Sequence, residues 1–88
     1  MSIQDTLSER EQQHGSFPTH CEIECRISEV IAAIGIEHMS DVQKVGFSMI
    51  IHKLSRILNN GHNHIDSWHD IAGYATLVEG HMREQVES

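Results

Sequence analysis

Apolar residues return at intervals of three and four along three separate stretches of this sequence, and that spacing limits its fold more than any other feature. Ile23, Ile27, Val30, Ile31 and Ile34 form one stripe, and Val42, Val45, Met49, Ile50, Leu54, Ile57 and Leu58 form a second. Trp68, Ile71, Ala72, Ala75, Val78 and Met82 form the third. Such intervals gather side chains on one side of a helix, and no stretch alternates apolar and polar residues as a half-buried strand would. The predicted fold is therefore all-α. Start and stop signals frame the helices. Ser2 precedes Asp5, Thr19 precedes Glu22 and Ser40 precedes Gln43, each at the three-residue interval of a capping box, and Asn63 precedes Asp66 as a fourth start. Gly15 and Gly35 are placed to end helices. The expected elements are a polar N-terminal helix within 1–15 and three main helices over 19–34, 40–59 and 63–83, packed as an antiparallel bundle. Phe47 and Ile51 widen the second stripe, which predicts that its helix is central or lies in a subunit interface.

A chain of 88 residues has room for one hydrophobic core, so residues 1–88 form a single domain. A core this small is marginal on its own, and a homodimer or tetramer is expected. Six Lys and Arg against 13 Asp and Glu give a formal charge of −7, too few cations for a footprint on duplex nucleic acid. Cys21 and Cys25, four apart within a helical pattern, match neither a disulfide framework nor a CxxC motif and read as reduced thiols. With no membrane-length apolar run and no basic-then-apolar leader, the expected location is the cytoplasm.

The chemistry concentrates in HKLSRILNNGHNHIDSWHDIAGY, residues 52–74. Lys53 and Arg56 are neighbours on one helix surface, and a guanidinium can grip a phosphate or carboxylate with two parallel hydrogen bonds. Asp66 and Asp70, one turn apart, point their carboxylates the same way, and Tyr74 continues that face beside Gly73. If the two helices run antiparallel, cations face carboxylates. The set then serves either as a ligand site, with Asp66 and Asp70 holding Mg²⁺ and Lys53 and Arg56 taking phosphate, or as a structural ion-pair network. His62, His64 and His69 surround Asp66 and offer zinc-type donors, although loop histidines separated by one residue tend to point apart, which makes zinc the weaker reading. Trp68 falls on the apolar side of its helix and is expected in the core, leaving Tyr74 as the ring able to stack on a base. Glu22 is a third carboxylate that could join the site, or a cap.

The segments HGSF, KLSRILN and DSWHDIAGYATL together resemble a family of small helical proteins encoded by phages and prophages, over roughly Arg10 to Val78. The ending, with an Asp shortly before Tyr74-Ala75, is similar to that of phage nucleotide-modification-associated domains and, more loosely, of the all-α NTP pyrophosphatases of MazG type. Enzymes of that type bind Mg²⁺ through an ExxE helix and an ExxD helix. Here Cys25 stands three residues after Glu22, and Asp66 and Asp70 are four apart rather than three. The resemblance implies a phage gene acting in the bacterial cytoplasm on a nucleotide or related phosphate, without specifying a reaction.

The expected function is thus the binding of a nucleotide or other phosphorylated ligand by Lys53, Arg56, Asp66, Asp70 and Tyr74, with Mg²⁺ assisting. The alternative is an acidic module that binds and inhibits a host factor, for which Glu9, Glu11, Glu22, Glu24 and Glu29 would have to gather on one exposed face.

Overall fold

Serine caps the first three helices. Ser2 and Asp5 close a reciprocal capping box at the start of α1 (Ile3–His14), and Ser40 and Gln43 do the same for α3 (Asp41–Arg56). The cap of α2 (Phe17–Ile34) is Ser16 rather than Thr19: the Ser16 hydroxyl accepts the Thr19 backbone N–H at 3.3 Å, with Pro18 in the first turn. The helix therefore starts two residues earlier than Thr19 suggested, because Ser16 and Thr19 have the cap spacing themselves and proline favours a first turn. The last helix, α4, spans Ile65–Glu87. His64 Nδ1 lies 3.2 Å from Ser67 Oγ at its start, where Asn63 was expected to act. The computed structural model describes residues 2–87, without the side chains of residues 13 and 14. The ends of the expected 1–88 domain and the His14 side chain of the HGSF segment lie outside the described residues.

Between α3 and α4 the chain passes through a wider π-type turn, Ile57–Gly61, in which Asn59 (φ −91°, ψ 48°) and Asn60 (φ 73°, ψ 12°) leave helical geometry. Asparagine tolerates the left-handed conformation, so the Asn59-Asn60 pair ends α3 earlier than residue 59. The described residues contain helices and turns but no strand, as the periodicity predicts. No helix among them is long and apolar enough to cross a membrane.

The central position of α3 follows its broad apolar surface: α2 and α4 each pack on α3, and α1 rests on the Ile57–Gly61 turn. A side chain at Gly46 would run into Val78, so α3 and α4 approach closely there, whereas Gly73 faces open space. The arrangement is open. Among the described apolar side chains only Ile51 is buried, while Val45, Leu58, Trp68 and Met82 on the predicted stripes stay exposed. The molecule measures 49 × 29 × 22 Å with a radius of gyration of 15.4 Å, against about 12 Å for a compact domain of this length. The best-covered side chains are polar instead: His20, Ser55, Asn59 and Ser67. Three of these belong to α2, the end of α3 and the turn, and they mark where the chain closes most tightly.

Candidate functional site

Starting α2 at Phe17 places His20 within its first turns and Glu24 one turn further on the same face. His52, from the second half of α3, meets them. His20 Nε2 lies 3.1 Å from Glu24 Oε2 and His52 Nδ1 lies 3.3 Å from Glu24 Oε1, so one carboxylate bridges two imidazoles. The rings stand edge to face, with centroids 4.9 Å apart at 70°. His20 is buried, while His52 and Glu24 keep about a third of their side-chain surface in contact with solvent. The one donor atom from each residue lies within 4.8 Å of the other two, the only three-donor group of metal-ligand type among the described residues.

Both imidazoles open onto a cavity of about 510 Å³ between the α1–α2 connection and α3. Arg56 follows His52 by one helical turn and reaches the same cavity, as does Arg10 from α1. Leu7 and Phe17 supply apolar wall, and Glu11 is the only carboxylate among the described lining residues. The wall at Gly15–Ser16 is pinned from outside: the Asn59 side-chain amide donates to the Ser16 carbonyl at 2.7 Å. Gly15 packs so closely on Asn59 that a Cβ would overlap both its backbone carbonyl and its side chain. The described ion pairs do not include Arg56, which is half-buried.

The cation and carboxylate cluster expected from spacing is split between two places. Lys53 Nζ lies 3.0 Å from Asp70 Oδ2, with Lys53 largely covered and Asp70 less so, and this pair ties α3 to α4. Asp70 is held below its ordinary pKa, first by the Lys53 hydrogen bond, working against partial desolvation, and then by the charges of Lys53, His69 and Arg56. Since the folded value is depressed, the stabilisation is fully present above the ordinary carboxylate range and fades as the pH falls through the folded value. Lys53→Met is expected to flatten the acid limb of the melting-temperature profile, read by circular dichroism from pH 7 down to pH 3; an unchanged limb would deny the pair a stabilising role.

Asp66 is exposed one turn before Asp70, and Tyr74 is half-buried. Neither they nor Asp70 line the Arg56 cavity. Among the described residues, the donors of His62, His64, His69 and Asp66 form no three-donor group, and His64 Nδ1 lies beside Ser67 Oγ. Trp68 is not in the core: it is 53% exposed, and its indole N–H donates to the His62 carbonyl at 2.8 Å, anchoring the turn instead. Glu22 and Glu29 flank Arg26 on α2, Glu24 turns inward to the histidines, and Glu11 lies in the cavity with Arg56.

The sequence assigns no role to His20 or His52 and places Glu24 only on a candidate acidic face. The His-x-x-x-Glu interval on a predicted helix was the available signal, since it places both groups on one face; the arrival of His52 from another helix had none. A family model described as a domain of unknown function, DUF6378, matches residues 3–82. No curated protein and no solved structure matches the chain.

Proposed function

The chain belongs to the DUF6378 family, and we propose that it binds a nucleotide or other small phosphorylated ligand in the cavity between the α1–α2 connection and α3. The observation that carries this reading is Arg56: a half-buried arginine that lines a cavity of about 510 Å³ with Arg10, His20 and His52, and that makes none of the described close ion pairs although its charge reaches Asp70. A phosphate fits this set, because Arg56 can donate two parallel hydrogen bonds and the imidazoles add donors when protonated. Leu7 and Phe17 give a base or sugar an apolar surface. The role expected of Asp66, Asp70 and Lys53 in ligand binding has less support, since Lys53 and Asp70 satisfy each other. The acidic-partner alternative has less support, since Glu24 is engaged by two histidines and Glu11 lines the cavity. Resemblance to phage-encoded proteins and the two free cysteines fit action in a bacterial cytoplasm.

A thermal-shift screen of the full chain against nucleoside mono-, di- and triphosphates and inorganic phosphate tests this reading, since a ligand that binds only the folded state raises the melting temperature. At least one phosphate-bearing ligand is expected to raise it, with affinity reduced about 10- to 100-fold in Arg56→Ala, the equivalent of losing a charge-assisted hydrogen bond worth about 1.5–3 kcal/mol. A shift that survives in Arg56→Ala, or a flat response across the panel, would overturn the reading.

We also propose that a second copy of the chain covers the apolar groove between α3 and α4, a cleft of about 750 Å³ lined by Phe47, Ile50, Val78, Met82 and Val86. The chain exposes 6547 Å², whereas a compact monomer of this mass exposes about 5,200 Å². The difference exceeds the roughly 800 Å² that each partner buries in a standard interface.

A further inference from the structure

We infer that His20, Glu24 and His52 form a binding site for a divalent transition ion of zinc type, with its open coordination position on the Arg56 cavity. The site stands independently of the phosphate reading, because its three donors converge whether or not a phosphate binds. Two imidazoles and a carboxylate make up one of the three-ligand sets that zinc uses where it keeps a fourth position for water or substrate. The spacing suits such an ion. Ligands about 2.0–2.1 Å from zinc in a tetrahedron stand about 3.3–3.4 Å from one another; here each imidazole lies 3.1 or 3.3 Å from a different oxygen of the Glu24 carboxylate, so the set must contract onto one oxygen. All three donor atoms lie within 4.8 Å of one another, so small side-chain rotations are enough to close them on one ion. Two ligands come from one helix a turn apart and the third from the neighbouring helix, so metal binding would join α2 to α3 beside the buried His20.

The donor chemistry agrees. Nitrogen ligands disfavour Mg²⁺ and Ca²⁺, which take oxygen, and favour zinc and its first-row neighbours. Each imidazole must present a lone pair to the ion, so the N–H now directed at Glu24 moves to the other ring nitrogen and Glu24 exchanges two hydrogen bonds for one metal bond. Because His20 and His52 both line the Arg56 cavity while Glu24 lies behind them, the remaining position points into that cavity. An ion there would have a water exchangeable for an anionic oxygen held by Arg56.

The test is titration of the metal-free full chain with Zn²⁺ and Co²⁺, without phosphate, by calorimetry and by the visible spectrum of bound cobalt. One ion per chain is expected, with the intense spectrum of a four- or five-coordinate site. His52→Gln and Glu24→Gln are expected to weaken binding by more than tenfold, since groups that merely orient a metal ligand are already worth about 10–100-fold. His62→Gln and His69→Gln, in the exposed segment between α3 and α4, are expected to bind as the parent does. His20 is buried, and its replacement could unfold the chain. X-ray absorption of the zinc-loaded parent protein therefore gives a reading without mutation, with two imidazole ligands and no sulfur expected. Absence of binding at micromolar zinc, sulfur ligands from Cys21 or Cys25, or undiminished affinity in His52→Gln and Glu24→Gln would each overturn the inference. A metal site confirmed with no phosphate response would leave this inference standing and remove the phosphate reading alone.

Discussion

Sedimentation of the purified chain is expected to give a mass of at least twice 10.0 kDa, with a melting temperature that rises as the protein is concentrated. The expectation follows from how little the single chain buries. One apolar side chain, Ile51, is withdrawn from water among those described, and the larger part of the α3 and α4 stripes stays exposed. A fold gains about 25 cal/mol for each Å² of apolar surface removed from water and must offset about 1–2 kcal/mol of backbone entropy per residue. An open four-helix chain with a radius of gyration of 15.4 Å is poorly supplied with the first term. A second copy in the α3–α4 groove supplies it without changing the helices. Val86 discriminates, because it is 86% exposed in the single chain. A surface substitution of that kind changes the stability of an isolated domain by only about 0.5 kcal/mol. If Val86 and Met82 sit in an interface, the double variant Met82→Asp/Val86→Asp is expected to shift the protein to monomer, weaken association by more than tenfold and lower the melting temperature at fixed concentration. A parent chain that sediments as a 10 kDa particle at high concentration, melting at the same temperature after dilution, would sink the proposal.

The helices themselves were legible because their signals are local. Ser2 with Asp5 and Ser40 with Gln43 are capping boxes in both sequence and structure, and the second stripe was wide enough to mark α3 as central. Errors arose where two local signals compete: Thr19-Glu22 and Ser16-Thr19 both have cap spacing, and Pro18 favours the earlier start. Periodicity also says which side of a helix is apolar, not what covers it, so the stripes were read as a core that the single chain does not close. The candidate site was legible in part. Arg56 was identified from its residue type, and the Lys53–Asp70 pair from antiparallel packing, but their sorting onto different neighbours depends on rotation about α3, which a one-residue step changes by about 100°. Glu24 and His52 are separated by 28 residues and meet only because α2 packs on α3 at that height. No spacing rule within one helix reaches that far.

Gly15→Ala is expected to be the most damaging single-methyl change in the protein. Gly15 adopts φ 77° and ψ −173°, a conformation that residues with a Cβ avoid at a cost of about 1–3 kcal/mol. The added methyl would also overlap the Asn59 carbonyl oxygen and side-chain amide, and overpacking of this kind costs a further 1–3 kcal/mol or so. Together these come to about 2–6 kcal/mol, against the roughly 5–15 kcal/mol by which domains are stable, and in a chain this small they correspond to a melting temperature lower by on the order of 10–40 °C. Two comparisons separate the mechanism from general sensitivity. Gly73 lies in α4 with nothing within 4 Å of where its Cβ would be, so Gly73→Ala is expected to stabilise by about 1 kcal/mol through helix propensity. Asn59→Ala removes the side-chain overlap but not the backbone carbonyl, and it also loses the hydrogen bond to the Ser16 carbonyl, so the double variant Gly15→Ala/Asn59→Ala is not expected to regain parental stability. The effect should extend to ligand binding, since Gly15 and Ser16 form the cavity wall opposite Arg56. A Gly15→Ala protein with parental melting temperature would mean that the α1–α2 connection does not hold this conformation, and the cavity assigned to the phosphate would lose the wall that shapes it.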